Sequence, residues 1–105
     1  MKSTTSTPTE TQVLNSLKSV IDPELMVNIV DLGLVYHIKI DDDSKNIIVE
    51  MTLTTTGCPL GDVIEQHAIE VLRSQYPTYT NDIFFVWNPA WNPSFISDEG
   101  RQQLE

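Results

Sequence analysis

A chain of 105 residues with 40% hydrophobic content can bury one core, so residues 7–105 are read as a single domain behind a polar start, residues 1–6, expected to be mobile. Fifteen acidic residues against six basic ones give a formal charge of −9, which repels phosphate backbones and anionic membrane surfaces and argues against nucleic acid or lipid as partners. No apolar run approaches the roughly 20 residues of a membrane span, the start lacks the apolar core of a secretory signal, and one cysteine cannot form an internal disulfide, so a cytoplasmic location is expected.

The first helix is signalled by Thr7 as cap, Pro8 at the first helical position and Glu10 three residues after the cap. Val13, Leu14, Leu17, Val20 and Ile21 follow at helical spacing, and Pro23 is expected to end the helix. Asp22-Pro23-Glu24 and the later Asp31 and Gly33 are open to two readings: residues that shape turns, or, for Asp22, Glu24 and Asp31, a polar group gathered near the cysteine. Leu34, Tyr36, Ile38 and Ile40 alternate with Val35, His37 and Lys39 as a strand. Asp41 to Asn46 form a solvated turn without the glycine and distal glutamate of a calcium loop. Ile47, Val49, Met51 and Leu53 then alternate as a second strand, antiparallel to the first.

Thr52-Leu53-Thr54-Thr55-Thr56-Gly57-Cys58-Pro59 turns this strand into a helix and carries the only cysteine. The unpaired N–H groups of a helix start favour thiolate over thiol, which makes Cys58 a candidate for chemistry; the plain alternative is a small side chain plugging the corner. The helix stripe is Leu60, Val63, Ile64, His67, Ala68, Val71 and Leu72, ending near Gln75. His67 reads as a core-edge residue too far along the helix to meet Cys58, and neither it nor His37 makes a recognisable dyad with the thiol. Asp82 to Trp87 form a third strand, apolar on both faces and so expected to be covered on both sides. In the tail, Trp91 and Phe95 either close the core or present an aromatic patch to a partner, and Ser97 caps a last helix, Asp98 to Leu104. The order helix, strand, strand, helix, strand with an irregular aromatic tail predicts an α+β fold, a two-layer sandwich with helices on one face of a mixed sheet.

Asp22-Pro23-Glu24, Asn28 to Tyr36, Met51 to Pro59, the Trp87 to Trp91 region and Ser97 to Arg101, in this order, resemble the SufT-like and PaaD-like metal-sulfur cluster biosynthetic family. The resemblance implies a fold similar to the C-terminal domain of NifU scaffold proteins and a role in maturing iron-sulfur proteins rather than enzymatic turnover. It implies iron-sulfur assembly proteins and apo client proteins as partners. The family's cysteine maps to Cys58 and its acidic motif to Asp22 and Glu24, with Pro23, Asp31, Gly33, Thr56, Gly57 and Pro59 as supporting positions. The sequence lacks the cysteine-bearing extension of PaaD proteins, which favours the SufT-like form. Iron-sulfur clusters are usually held by several thiolates, so with one Cys58 per chain a cluster has to bridge a homodimer, borrow a small thiol or a partner's cysteine, or stay only transiently. Two other classes stay open: an adaptor subunit without cluster chemistry, and an enzyme with Cys58 as nucleophile, for which no base stands at a recognisable spacing.

Overall fold

The computed structural model describes residues 8–54 and 61–104; the expected mobile start, the Thr7 cap, and Thr56, Gly57, Cys58 and Pro59 lie outside the described residues. The first helix, α1, spans Glu10–Leu17 and is capped by Thr9 rather than Thr7. Thr9 Oγ1 accepts the Gln12 N–H at 3.0 Å and Gln12 Oε1 accepts the Thr9 N–H at 2.9 Å, a reciprocal box that satisfies two donors at once. The spacing rule fits both threonines, and Gln12 decides between them. The helix also stops earlier than Pro23 suggests. Lys18, Ser19 and Val20 donate three residues back, to Asn15, Ser16 and Leu17, and this tightened turn lets Ile21–Asp22 become a short strand, β1, paired antiparallel with β2, Val27–Asn28. Ile21 is therefore exposed instead of continuing the helical stripe.

β3, Val35–Asp41, pairs antiparallel with β4, Asn46–Met51, as expected, with a register shift between Val35 and His37. The turn between them is built by Asp41, whose Oδ1 accepts the N–H groups of Asp43 at 3.0 Å and Ser44 at 3.3 Å. The Ser44 bonds, ahead of the other contributions, hold the Asp41 carboxyl below the ordinary aspartate value. Its support of the turn should be complete above the unfolded aspartate pKa and lost as pH falls through the lowered folded value, and an NMR pH series on its side-chain carbonyl would check this.

The second helix, α2, spans Gly61–Gln75 and crosses over to β5, Thr80–Phe85, which pairs parallel with β4. Strand order is β3-β4-β5. Ile38, Ile47, Val49 and Met51 face the helices, where α1 supplies Val13 and Leu17 and α2 supplies Ile64, Ala68 and Leu72. Two expectations need correction. β5 is an edge strand, alternately exposed and half-buried, and Phe84 is 52% exposed. The hairpin takes one side of β4 and the crossover puts β5 on the other; among the described residues no strand pairs the far edge of β5, and α1 and α2 lie on one face. On α2, Val63 and His67 are exposed, because the contact stripe is the narrower set of Gly61, Ile64, Ala68 and Leu72. Gly61 sets this close approach: a Cβ there would meet Leu53 Cδ1 at 2.9 Å.

The irregular stretch between β1 and β3 is as buried as either helix, with Val27, Ile29, Leu32 and Leu34 all fully buried. A last helix, α3, spans Asp98–Leu104 and packs against β2.

Candidate functional site

Asp22 is 4% exposed, and its Oδ1 accepts the N–H groups of Glu24 at 2.8 Å and Leu25 at 3.2 Å while its carbonyl accepts that of Met26 at 2.7 Å. It is the residue that folds the β1–β2 hairpin. Pro23, Glu24, Leu25 and Met26 form the exposed tip, and Met26 sits there with φ of 60°, the left-handed region a non-glycine residue rarely adopts.

Asp31 does different work. It is 8% exposed; Oδ2 accepts from Asn28 Nδ2 at 2.7 Å, Oδ1 accepts from Ser97 Oγ at 2.9 Å, its N–H donates to Asn28 Oδ1 at 2.8 Å, and its carbonyl accepts the Ser97 N–H at 2.7 Å. Ser97 Oγ in turn accepts the Gly100 N–H at 3.1 Å and so caps α3. One carboxylate thus ties the loop to the start of the last helix. Two further contacts close the same seam. Trp91 Nε1 donates to the Leu32 carbonyl at 2.7 Å, with the ring against the core, and Phe95 packs edge-on against Tyr36 with centroids 6.2 Å apart. Gly33, at φ of 79°, lies against the Phe95 backbone. Trp91 therefore serves core closure, one of the two readings its sequence position left open, while Phe95 stays 40% exposed beside an open apolar groove of about 530 Å³ lined by Gly33, Val35, Tyr36, Pro89 and Phe95.

The expected gathering of Asp22, Glu24 and Asp31 divides into separate networks: Asp22 and Asp31 spend their oxygens on different turns, and Glu24 is at the hairpin tip. Among the described residues no three histidine, cysteine, aspartate or glutamate side chains come together as a metal site. What the fold does bring together is backbone. The Thr52 N–H donates to the Leu34 carbonyl at 2.8 Å, and the Val86 N–H donates to the Met51 carbonyl at 2.8 Å. The stretch following Gly33, the stretch leading to Cys58 and the stretch leading to Trp91 thus meet at one end of the sheet. Leu53 and Gly61, on either side of segment 55–60, lie against each other at this end. Thr52 belongs to the junction too: it is fully buried, and its Oγ1 has no hydrogen-bond partner among the described residues. Sequence reasoning passed over Thr52 as one of the alternating polar positions, and it read Ser97 as a cap without its link to Asp31.

Residues 10–81 match the family model described as iron-sulfur cluster assembly protein. The chain belongs to the iron-sulfur cluster assembly protein family. Within it, the chain is 40% identical over 85 residues to the Fe-S protein maturation auxiliary factor YitW of Bacillus subtilis, covering 81% of this chain and 82% of that one. It is 41% identical over 78 residues to the Fe-S protein maturation auxiliary factor SufT of Staphylococcus aureus, covering 74% and 88%. A crystal structure of a domain of unknown function from Bacillus anthracis superposes with a TM-score of 0.85 at 36% identity over 90% of both chains. The α+β fold class and the SufT-like resemblance both hold. The matched region of the family model takes in the β1–β2 hairpin, the Asp31 loop and Cys58, and it ends inside β5, short of the Trp91 to Ser97 seam.

Proposed function

We propose that this protein is an auxiliary factor that matures client iron-sulfur proteins, with Cys58 as its contact to the iron-sulfur cargo and no enzymatic turnover of its own. The observation that carries the reading is the junction at the end of the sheet: the flanks of segment 55–60 are fixed there by Thr52, Leu53 and Gly61, in a chain whose relatives are named as maturation auxiliary factors. Cys58 stands three residues before the first residue of α2. A thiol close to the positive end of a 15-residue helix is favoured as thiolate, the form that binds iron. A single thiolate holds iron-sulfur cargo weakly, and weak holding suits delivery to a client that offers a fuller ligand set. Asp22 and Asp31 serve this reading as supports of the loops rather than as iron ligands. The partners are iron-sulfur assembly proteins and apo clients met in the cytoplasm; among the described residues no helix is long and apolar enough to cross a membrane.

The test is anaerobic reconstitution of wild type and Cys58→Ser with iron and sulfide, read by metal and sulfide content and by transfer to an apo client enzyme. Wild type should retain and transfer cargo, and Cys58→Ser should lose at least about tenfold in both while keeping its far-ultraviolet circular dichroism. Equal retention by the two proteins, or none by either, would overturn the reading. The second of these results would move the assignment to an adaptor whose affinity lies in the apolar groove beside Phe95.

A further inference from the structure

The free edge of β5 is the surface whose use the function above leaves unassigned. Thr80 donates its N–H to the Lys45 carbonyl and Val86 donates to the Met51 carbonyl, each at 2.8 Å. In a parallel pair the N–H and C=O of one residue point to the same neighbour, so the even-numbered residues of β5 face β4 and Asn81, Ile83 and Phe85 turn their backbone groups outward. Among the described residues no strand pairs that side. Edge strands are ordinarily guarded by lysine, proline or a bulge. β3, at the other edge, has both Lys39 and the register shift after Val35; β5, reading Thr-Asn-Asp-Ile-Phe-Phe, has none of these and only the acidic charge of Asp82, which guards against a like-charged strand and not against a basic one. On the sheet face away from the helices the same strand presents Asp82 and the half-exposed Phe84, while Phe85 turns to the other face against the core, with the exposed Trp87 ring stacked 6.1 Å from its own.

We propose that the β5 edge takes up an extended basic segment of a partner protein as an added strand. Charge selects this occupant over a second copy of the chain: a copy brings another net charge of −9 and another Asp82 to the same edge, whereas a basic strand offsets both. Alternation fixes the pattern. On the outer face a lysine or arginine stands beside Asp82, and two residues along an apolar side chain stands beside Phe84, while backbone pairing with Asn81, Ile83 and Phe85 supplies affinity.

The edge lies on β5 and does not involve Cys58, so the test separates from that of the function. The isotope-labelled full chain is titrated with the blocked hexapeptide Thr-Lys-Thr-Val-Thr-Lys, which sets lysine and valine two residues apart on one face, with glutamate in place of each lysine as control, and amide hydrogen exchange is read residue by residue. The basic peptide should slow exchange at Asn81, Ile83 and Phe85 by at least about tenfold, leave Thr80, Asp82 and Phe84 unchanged, and do the same in Cys58→Ser. Asp82→Lys, a change at an exposed position, should lose that protection and gain it from the acidic peptide. No slowing at the three amides, equal slowing by both peptides, or slowing that grows with protein concentration in the absence of peptide would overturn the proposal, the last by assigning the edge to a second copy.

Discussion

Gly33→Ala should destabilise the protein by about 2–5 kcal/mol, the sum of strain at a positive φ and forced displacement of packed neighbours. Gly33 has φ of 79°, and a Cβ there would come within 2.6 Å of the Phe95 Cβ and closer still to the Phe95 carbonyl oxygen. Two of the three nearest atoms are backbone, so trimming Phe95 cannot make room. The chain would have to release the 3-10 turn Pro93–Phe95 from the loop, and with it the seam that Trp91 and Ser97 hold. Urea unfolding checks this: the midpoint should fall with little change in slope. A wild-type midpoint would mean that Phe95 does not lie over Gly33.

Asp31→Ala should cost about 2–4 kcal/mol, because it strands the buried Asn28 amide and removes the acceptor of Ser97. Ser97→Ala alone should cost about 1 kcal/mol, the usual value of a helix cap. The two share a bond, so the double variant should cost less than the sum of the singles. The effect is also local. In Asp31→Ala the amides of α3 should exchange many times faster while those of β4, between two strand neighbours, stay protected. Persistent protection of α3 would show that Asp31 is not what fastens it.

Elements whose signal lies within one stretch were legible in the sequence. The β3–β4 hairpin follows from alternation on both sides of a polar turn, and Asp41 caps that turn as an aspartate in that position should. The helix over residues 61–75 follows from its stripe, although the stripe admitted Val63 and His67, since spacings of three and four alone do not fix how wide the buried face is. The end of α1 was misplaced because Pro23 forbids helix only at its own approach; the earlier stop comes from β1 pairing with β2, a contact between residues that periodicity does not connect. β5 looked central because an apolar run reads alike whether both faces are covered or one is left open. The candidate site divides in the same way. Asp22 as a turn residue was among the readings its local sequence offered, whereas the Asp31–Ser97 bond joins residues 66 apart, and no spacing rule reaches that far. Cys58 was singled out by its position beside an expected helix start, and it lies outside the described residues.

The link between Asp31 and Ser97 also orders events while the chain is being made. The loop 28–34 is synthesised early, but its carboxylate, the Leu32 carbonyl and the space above Gly33 find their partners only in residues 91–100. Until those residues have emerged, Asp31 has only Asn28 to share its charge with, and water must serve in place of the rest. A nascent chain carrying residues 1–90 can therefore zip β3 to β4 and dock β5 across α2, yet it exposes the motif-bearing loop to solvent and to proteases. The loop therefore gains its full set of contacts only after residues 91–100 have been made, although every strand of the main sheet is complete by residue 85.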